Sequence, residues 1–185
     1  MEENYLNDIK KLFDYYKMLG ERAMKQVPEE KLFWQHDENS NSIAIIVKHI
    51  SGNMLSRFTD FLSSDGEKDW RDRDFEFESG GGSRKELDEI WGKGWECLEA
   101  SLNELQTEDL QKTIFIRNTG HTVSEAINRQ LAHYASHIGQ IIFLAKLILK
   151  SDWKTLSIAK GASKEFNARK FSDKTRHQHF TDDFK

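Results

Sequence analysis

Pro28 is the only proline among the 185 residues of this chain. Proline removes a backbone donor and clashes inside a helix, so a chain with one proline permits long helices. Residues 3–27 carry apolar side chains at steps of three and four, which predicts an amphipathic helix that Pro28 ends. A second run with this period extends from Ile43 to Leu62, after a polar cluster that could cap it.

Two further helices begin with the same capping signature. Ser83 is followed three residues later by Glu86, and Thr122 is followed at the same spacing by Glu125. Such pairs satisfy the first free N–H groups of a helix. The sequence therefore predicts a third helix from Ser83 and a fourth helix from Thr122 to about Lys150.

The connections are polar and uneven in length. Residues 63–82 have no hydrophobic period and predict a long loop, a kind of segment that often serves function. Residues 112–117 are β-prone and predict one short extended segment or hairpin arm. Four helices of about 20 residues make an all-α four-helix bundle the simplest architecture.

The chain length suits one domain with a tail. We assign residues 1–160 to the helical domain and residues 161–185 to a polar, partly irregular C-terminal tail, part of which could dock. The last dozen residues are expected to be disordered because they are rich in charge.

Composition argues against several partners. The net charge of −4 offers no attraction for nucleic acid or an anionic membrane. The first thirty residues contain no signal peptide, and no apolar run reaches the length of a membrane span. Cys97 is the single cysteine and cannot form an internal disulfide. We therefore expect a cytoplasmic protein that binds neither nucleic acid nor membrane.

His133 and His137 are four residues apart on the predicted fourth helix. This spacing places both imidazoles on one face, within reach of one metal ion. A solvated face or a hydrogen-bonded core pair gives the same spacing, so both interpretations stay open here. The pair is not a zincin motif, because Tyr134 stands where that motif has its glutamate.

His49 is a polar residue in the most apolar of the four helices. Gly52, on the same face, would let another helix approach closely. If the second and fourth helices are neighbours, His49 could complete a set of three imidazoles. Such a set suits Zn, Ni, Cu or Fe and leaves one or more coordination positions open.

The order of these features resembles a known group of proteins. His49 lies midway along the second helix, residues 128–141 read NRQLAHYASHIGQI, and residues 153–161 read WKTLSIAKG. This pattern resembles the DinB-like (DinB/YfiT) superfamily over residues 3–160, in a branch without an assigned function. The resemblance implies a four-helix bundle with a long crossover connection, with His49, His133 and His137 as ligands of one divalent ion, Ni or Zn. The superfamily includes transferases and isomerases that use bacillithiol or mycothiol.

Four polar residues are candidates to support that site. Asn53, Gln130 and Gln140 lie close to the histidines along their helices, where a side chain can orient a ligand or meet a substrate. Arg129 is a candidate to position the substrate. Tyr134 is expected to serve packing.

Two classes of function follow. The first is a metal-dependent transferase, in which a low-molecular-weight thiol activated at the metal attacks a small electrophile. This needs no general base, and the sequence offers no carboxylate in an obvious position for one. The second is a non-catalytic, stress-related metal-binding protein; a metal-dependent hydrolase ranks third. A homodimer is expected in either class.

Overall fold

The computed structural model describes residues 2–172, 174 and 177–184, and it is mostly helical. Four long helices and one short helix accompany a single two-stranded sheet in these residues. The elements are α1 (Glu2–Gln26), α2 (Ile43–Phe58), α3 (Arg84–Glu104), β1 (Thr113–Ile116), β2 (Thr119–Thr122), α4 (Val123–Leu149) and α5 (Ser163–Ser172).

Both predicted capping boxes are confirmed. The Ser83 hydroxyl accepts from the backbone N–H of Glu86, whose carboxylate accepts from the Ser83 N–H, and α3 starts there. Thr122 and Glu125 make the same reciprocal pair at the start of α4. These starts depend on local contacts only, which is why the sequence reveals them.

Helix α2 is shorter than its hydrophobic period predicts. It ends at Phe58, and Asp60 adopts a left-handed conformation with φ of 50°. The backbone N–H groups of Ser63 and Ser64 then donate to the Asp60 carbonyl, closing a turn. Phe61 stays buried from within this turn, so the apolar pattern continues beyond the helix.

The helices share one apolar core. Helix α1 packs mainly against α4, α2 packs mainly against α3, and α2 also contacts α4. At the centre, the ring of Phe13 on α1 lies 6.5 Å from Trp95 on α3 and 6.1 Å from Tyr134 on α4. The contact between α2 and α4 positions the candidate site.

The extended segment predicted at residues 112–117 is one arm of a hairpin. Strand β1 pairs antiparallel with β2, and Arg117 and Asn118 make the two-residue turn with φ of 54° and 57°. The long loop is attached to this hairpin, because the Gly66 N–H donates to the Phe115 carbonyl.

Part of the C-terminal tail packs against α1. The ring of Tyr15 lies 5.4 Å from Phe180 and 5.9 Å from Phe184, and His179 contacts Asp8 at 2.8 Å. The disorder expected for the last dozen residues is therefore wrong for residues 177–184, where aromatic contacts offset the charge. Residues 173, 175, 176 and 185 lie outside the described part. No described helix has the length and apolarity needed to cross a membrane.

Candidate metal site

Three imidazoles meet where α2 contacts α4. The Nε2 atoms of His133 and His137 are 3.0 Å apart, and Nε2 of His49 is 3.4 Å from Nε2 of His133. A tetrahedral ion with Zn–N bonds of about 2.0–2.1 Å separates its ligand nitrogens by roughly 3.3 Å. These two distances are close to that spacing, and the ligand nitrogens of all three rings lie within 4.8 Å of one another. The three histidines are the one group of three or more metal-ligating side chains found among the described residues.

The outer nitrogens of two of these rings are already engaged. Nδ1 of His49 donates to Oε2 of Glu76 at 3.0 Å, and Nδ1 of His137 donates to Oε1 of Gln140 at 3.0 Å. Both acceptors place the proton on Nδ1 in the neutral ring, because an oxygen acceptor needs a donor. The Nε2 atoms of His49 and His137 therefore present lone pairs to the centre.

Hydrogen bonding alone does not satisfy this centre. Nε2 of His133 faces Nε2 of both other histidines, and a neutral imidazole carries at most one proton there. Without a cation, at least one nitrogen lone pair would therefore point at another ring nitrogen with no hydrogen between the two. A cation at the centre satisfies all three nitrogens at once.

The electrostatics keep His133 and His137 uncharged at neutral pH. Burial is the largest cause that lowers the pKa of His133 to about 4, and the repulsion that a proton on His133 would meet from His137, His49 and two arginines adds to it. Burial also lowers the pKa of His137, although its hydrogen bond to Gln140 opposes part of that effect. The neutral form of imidazole is the one that binds metals.

Sequence reasoning missed one residue of the site, Glu76. It belongs to the loop at 63–82, yet its side chain is buried and accepts from both His49 and Arg71. Burial alone would raise the pKa of Glu76, but the hydrogen bonds from His49 and Arg71 lower it below its usual value. The sequence feature that could have pointed to Glu76 was Gly52, since a glycine in so apolar a helix indicates that another part of the chain approaches closely.

The approach at Gly52 is not the one expected. Among the described residues, the atoms nearest to the space there belong to the Glu76 side chain and not to another long helix. A Cβ atom at position 52 would lie 2.9 Å from the Glu76 carboxyl carbon, which is too close for carbon atoms. The glycine therefore admits the loop residue that contacts His49.

The supporting candidates are placed differently from one another. Gln140 contacts His137 directly, whereas the Oδ1 atom of Asn53 accepts from the Tyr134 hydroxyl at 2.9 Å. Tyr134 therefore has a polar contact beside its packing role. Gln130 is buried, and its Oε1 atom has no partner among the described residues. Arg129 is exposed and donates to His121, so no described contact brings it to the three histidines.

The comparisons with known proteins identify a family. The family model described as Protein of unknown function (DUF1572) matches residues 1–162. The chain belongs to the DUF1572 family. The matched range contains the whole of α1 to α4, and therefore all three histidines of this DUF1572 protein as well as Glu76. The search of curated proteins and the search of solved structures returned no match.

Proposed function

We propose that His49, His133 and His137 hold one divalent transition metal, with Ni or Zn as the expected ion, in a DinB-like four-helix bundle. The convergence of three Nε2 atoms carries this proposal. The donor set fits such an ion, because imidazole nitrogens are common ligands of Zn and Ni. Two of the rings are also oriented by hydrogen bonds at Nδ1, as metal-binding histidines usually are.

The site has the composition of a reactive centre. Three protein ligands leave at least one position of a four-coordinate ion for water or substrate, whereas structural zinc sites use four protein ligands. The described residues supply no fourth His, Cys, Asp or Glu to the cluster.

We further propose that the protein is a transferase that joins a low-molecular-weight thiol to a small electrophile. When bound, the metal would supply a Lewis acid that favours the thiolate form of the thiol. Gln130 stays a candidate to orient a ligand or meet a substrate, and its buried Oε1 atom has no partner among the described residues. Thiol transfer needs no protein base, and both oxygens of Glu76 are occupied by His49 and Arg71. The same occupancy disfavours a hydrolase that would use Glu76 as its general base.

A direct assay tests the transferase. Bacillithiol and a chloronitroaromatic compound are incubated with metal-loaded protein, so that the thiol loses its proton to solvent, a C–S bond forms and chloride leaves. We expect turnover with the loaded protein and background rates with the metal-free protein and with His133→Ala. The matched control is His121→Ala, which removes a histidine outside the cluster. Equal rates with and without metal would contradict the mechanism.

Other outcomes separate the remaining interpretations. Tight metal binding without turnover for bacillithiol, mycothiol or glutathione would favour the non-catalytic role. A small-molecule substrate, a homodimer and the absence of nucleic-acid and membrane partners stay predictions.

A further inference from the structure

The loop at 63–82 contacts His49 from two sides. Glu76 accepts the Nδ1 proton of His49, and the ring centroid of Phe77 lies 4.6 Å from that of His49. The guanidinium of Arg73 in turn lies 4.9 Å from the ring centroid of Phe77. A short segment, residues 71–77, therefore supplies two contacts to the one ligand that α4 does not supply, and two arginines that hold the contacting residues.

Glu76 is itself held in place. Nε of Arg71 donates to Oε1 at 2.8 Å, and Nη2 of Arg71 donates to Oε2 at 2.9 Å. The side chains of Arg71 and Glu76 are 2% and 9% exposed. A buried ion pair brings little net stability, because desolvation offsets its attraction, but a forked arginine fixes a carboxylate geometrically. The pair is thus better suited to orienting His49 than to stabilising the fold.

We propose that Glu76 is a positioning residue for the metal site. It holds the proton of His49 on Nδ1, keeps Nε2 bare and directed at the ion, and links residues 71–77 to metal occupancy. Carboxylate partners of this kind orient a ligating imidazole and raise its basicity. The inference rests on the proposed metal site, which Glu76 does not itself join as a ligand.

The first test is metal affinity, measured by titration calorimetry with Zn²⁺. Glu76→Gln keeps the shape of the side chain and removes its charge, and we expect its Zn²⁺ affinity to fall about 10- to 100-fold. The matched control is Glu67→Gln, which removes a carboxylate of the same loop that pairs with Arg57 and Arg117 and has no described contact with the histidines. The control should bind Zn²⁺ like the wild type.

Two further measurements separate positioning from general loss of structure. Co²⁺ absorption spectra should differ between the wild type and Glu76→Gln, because the orientation of His49 changes the ligand field. In the wild type alone, Zn²⁺ should slow amide hydrogen exchange in residues 71–77, a result that does not depend on any variant folding.

The outcomes distinguish this inference from the proposed function. If the wild type binds no metal, the proposed metal site itself is wrong. If the wild type binds Zn²⁺ and Glu76→Gln matches its affinity and Co²⁺ spectrum, the metal site stands and the role of Glu76 is overturned. Unchanged exchange in residues 71–77 on Zn²⁺ binding would overturn the link to the loop.

Discussion

His133 is the residue on which the site depends most closely. Its Nε2 atom faces those of His49 and His137 at 3.4 and 3.0 Å, while both of those rings donate their Nδ1 protons elsewhere. Removing His133 therefore removes the centre of the cluster. The two remaining histidines lie on different helices.

A substitution at Gly52 gives a sharper prediction, because the gain in helix propensity would be set against a steric clash. Alanine in place of a helical glycine normally raises the free energy of unfolding by about 1 kcal/mol. At position 52 the new Cβ atom would displace Glu76, which is held by two partners. We expect Gly52→Ala to lower both Zn²⁺ affinity and the free energy of unfolding, as measured by calorimetry and urea denaturation.

The matched control is Gly92→Ala in α3. A Cβ atom there meets only Glu96 Oε1 at 4.0 Å, an ordinary contact. This variant should gain up to about 1 kcal/mol and bind Zn²⁺ normally. Equal stabilisation by the two substitutions would mean that the space beside Gly52 is not filled by Glu76.

The residues of the site differ in how far the sequence reveals them. The spacing of His133 and His137 predicts a shared ion because both lie on one helix. His49 lies 84 residues before His133, so only the family resemblance linked it to the pair. Glu76 lies in a segment without period, where no local pattern indicates which of many charged residues will be buried.

At the scale of elements, Asp65 joins the long loop to the hairpin. Oδ1 of Asp65 accepts from the N–H groups of Glu67 and Arg117, and Oδ2 accepts from that of Asn118. The bond from Glu67, with those from Asn118 and Arg117, lowers the pKa of Asp65 below its ordinary value of 3.8. The charged form is therefore the one that holds the turn.

The stability that the Asp65 carboxylate contributes depends on pH. Because the pKa of Asp65 is lower in the folded chain, its contribution is complete above about pH 3.8 and is lost as pH falls through the folded pKa. We expect Asp65→Asn to cost about 1 kcal/mol at pH 7 in urea denaturation, since the amide nitrogen that takes the place of Oδ2 cannot accept the hydrogen bond from Asn118. The difference from wild type should shrink towards pH 3.

Asp69→Asn is the control, since Asp69 is exposed in the same loop. It should leave stability unchanged at both pH values. A cost for Asp65→Asn that stays constant with pH would contradict the role of the carboxylate.

Elements with local signals were predicted well. Helix α1 ends at Gln26, and only Val27 separates it from Pro28. The two capping boxes start α3 and α4 at the expected places. The end of α2 was missed because Phe61 remains buried after the helix has stopped, so burial and helix no longer coincide. The hydrophobic period indicates which residues are buried, and only indirectly which residues are helical.

At the scale of the whole molecule, the apolar core is built without the three histidines. The core joins all four long helices through apolar side chains such as Phe13, Trp95 and Ile138, none of which could bind a metal. We expect the metal-free protein to remain folded, with an unchanged helical circular dichroism spectrum.

Metal should still raise the melting temperature. Free Zn²⁺ at 100 times its Kd adds about 2.7 kcal/mol, and for a domain of this size each kcal/mol raises Tm by about 2–4 °C. Differential scanning calorimetry should therefore show an increase of about 5–10 °C for the wild type. His133→Ala should show no such increase. Unfolding of the wild type by a chelator would contradict a preformed site and indicate a structural ion.

The most direct test of the central claim is metal content. After loading with Zn²⁺ or Ni²⁺ and removal of excess ion, elemental analysis should find one ion per wild-type chain and one in His121→Ala. It should find essentially none in His133→Ala. A wild-type chain without a bound ion, or a His133→Ala variant that retains one ion per chain, would contradict the three-histidine site.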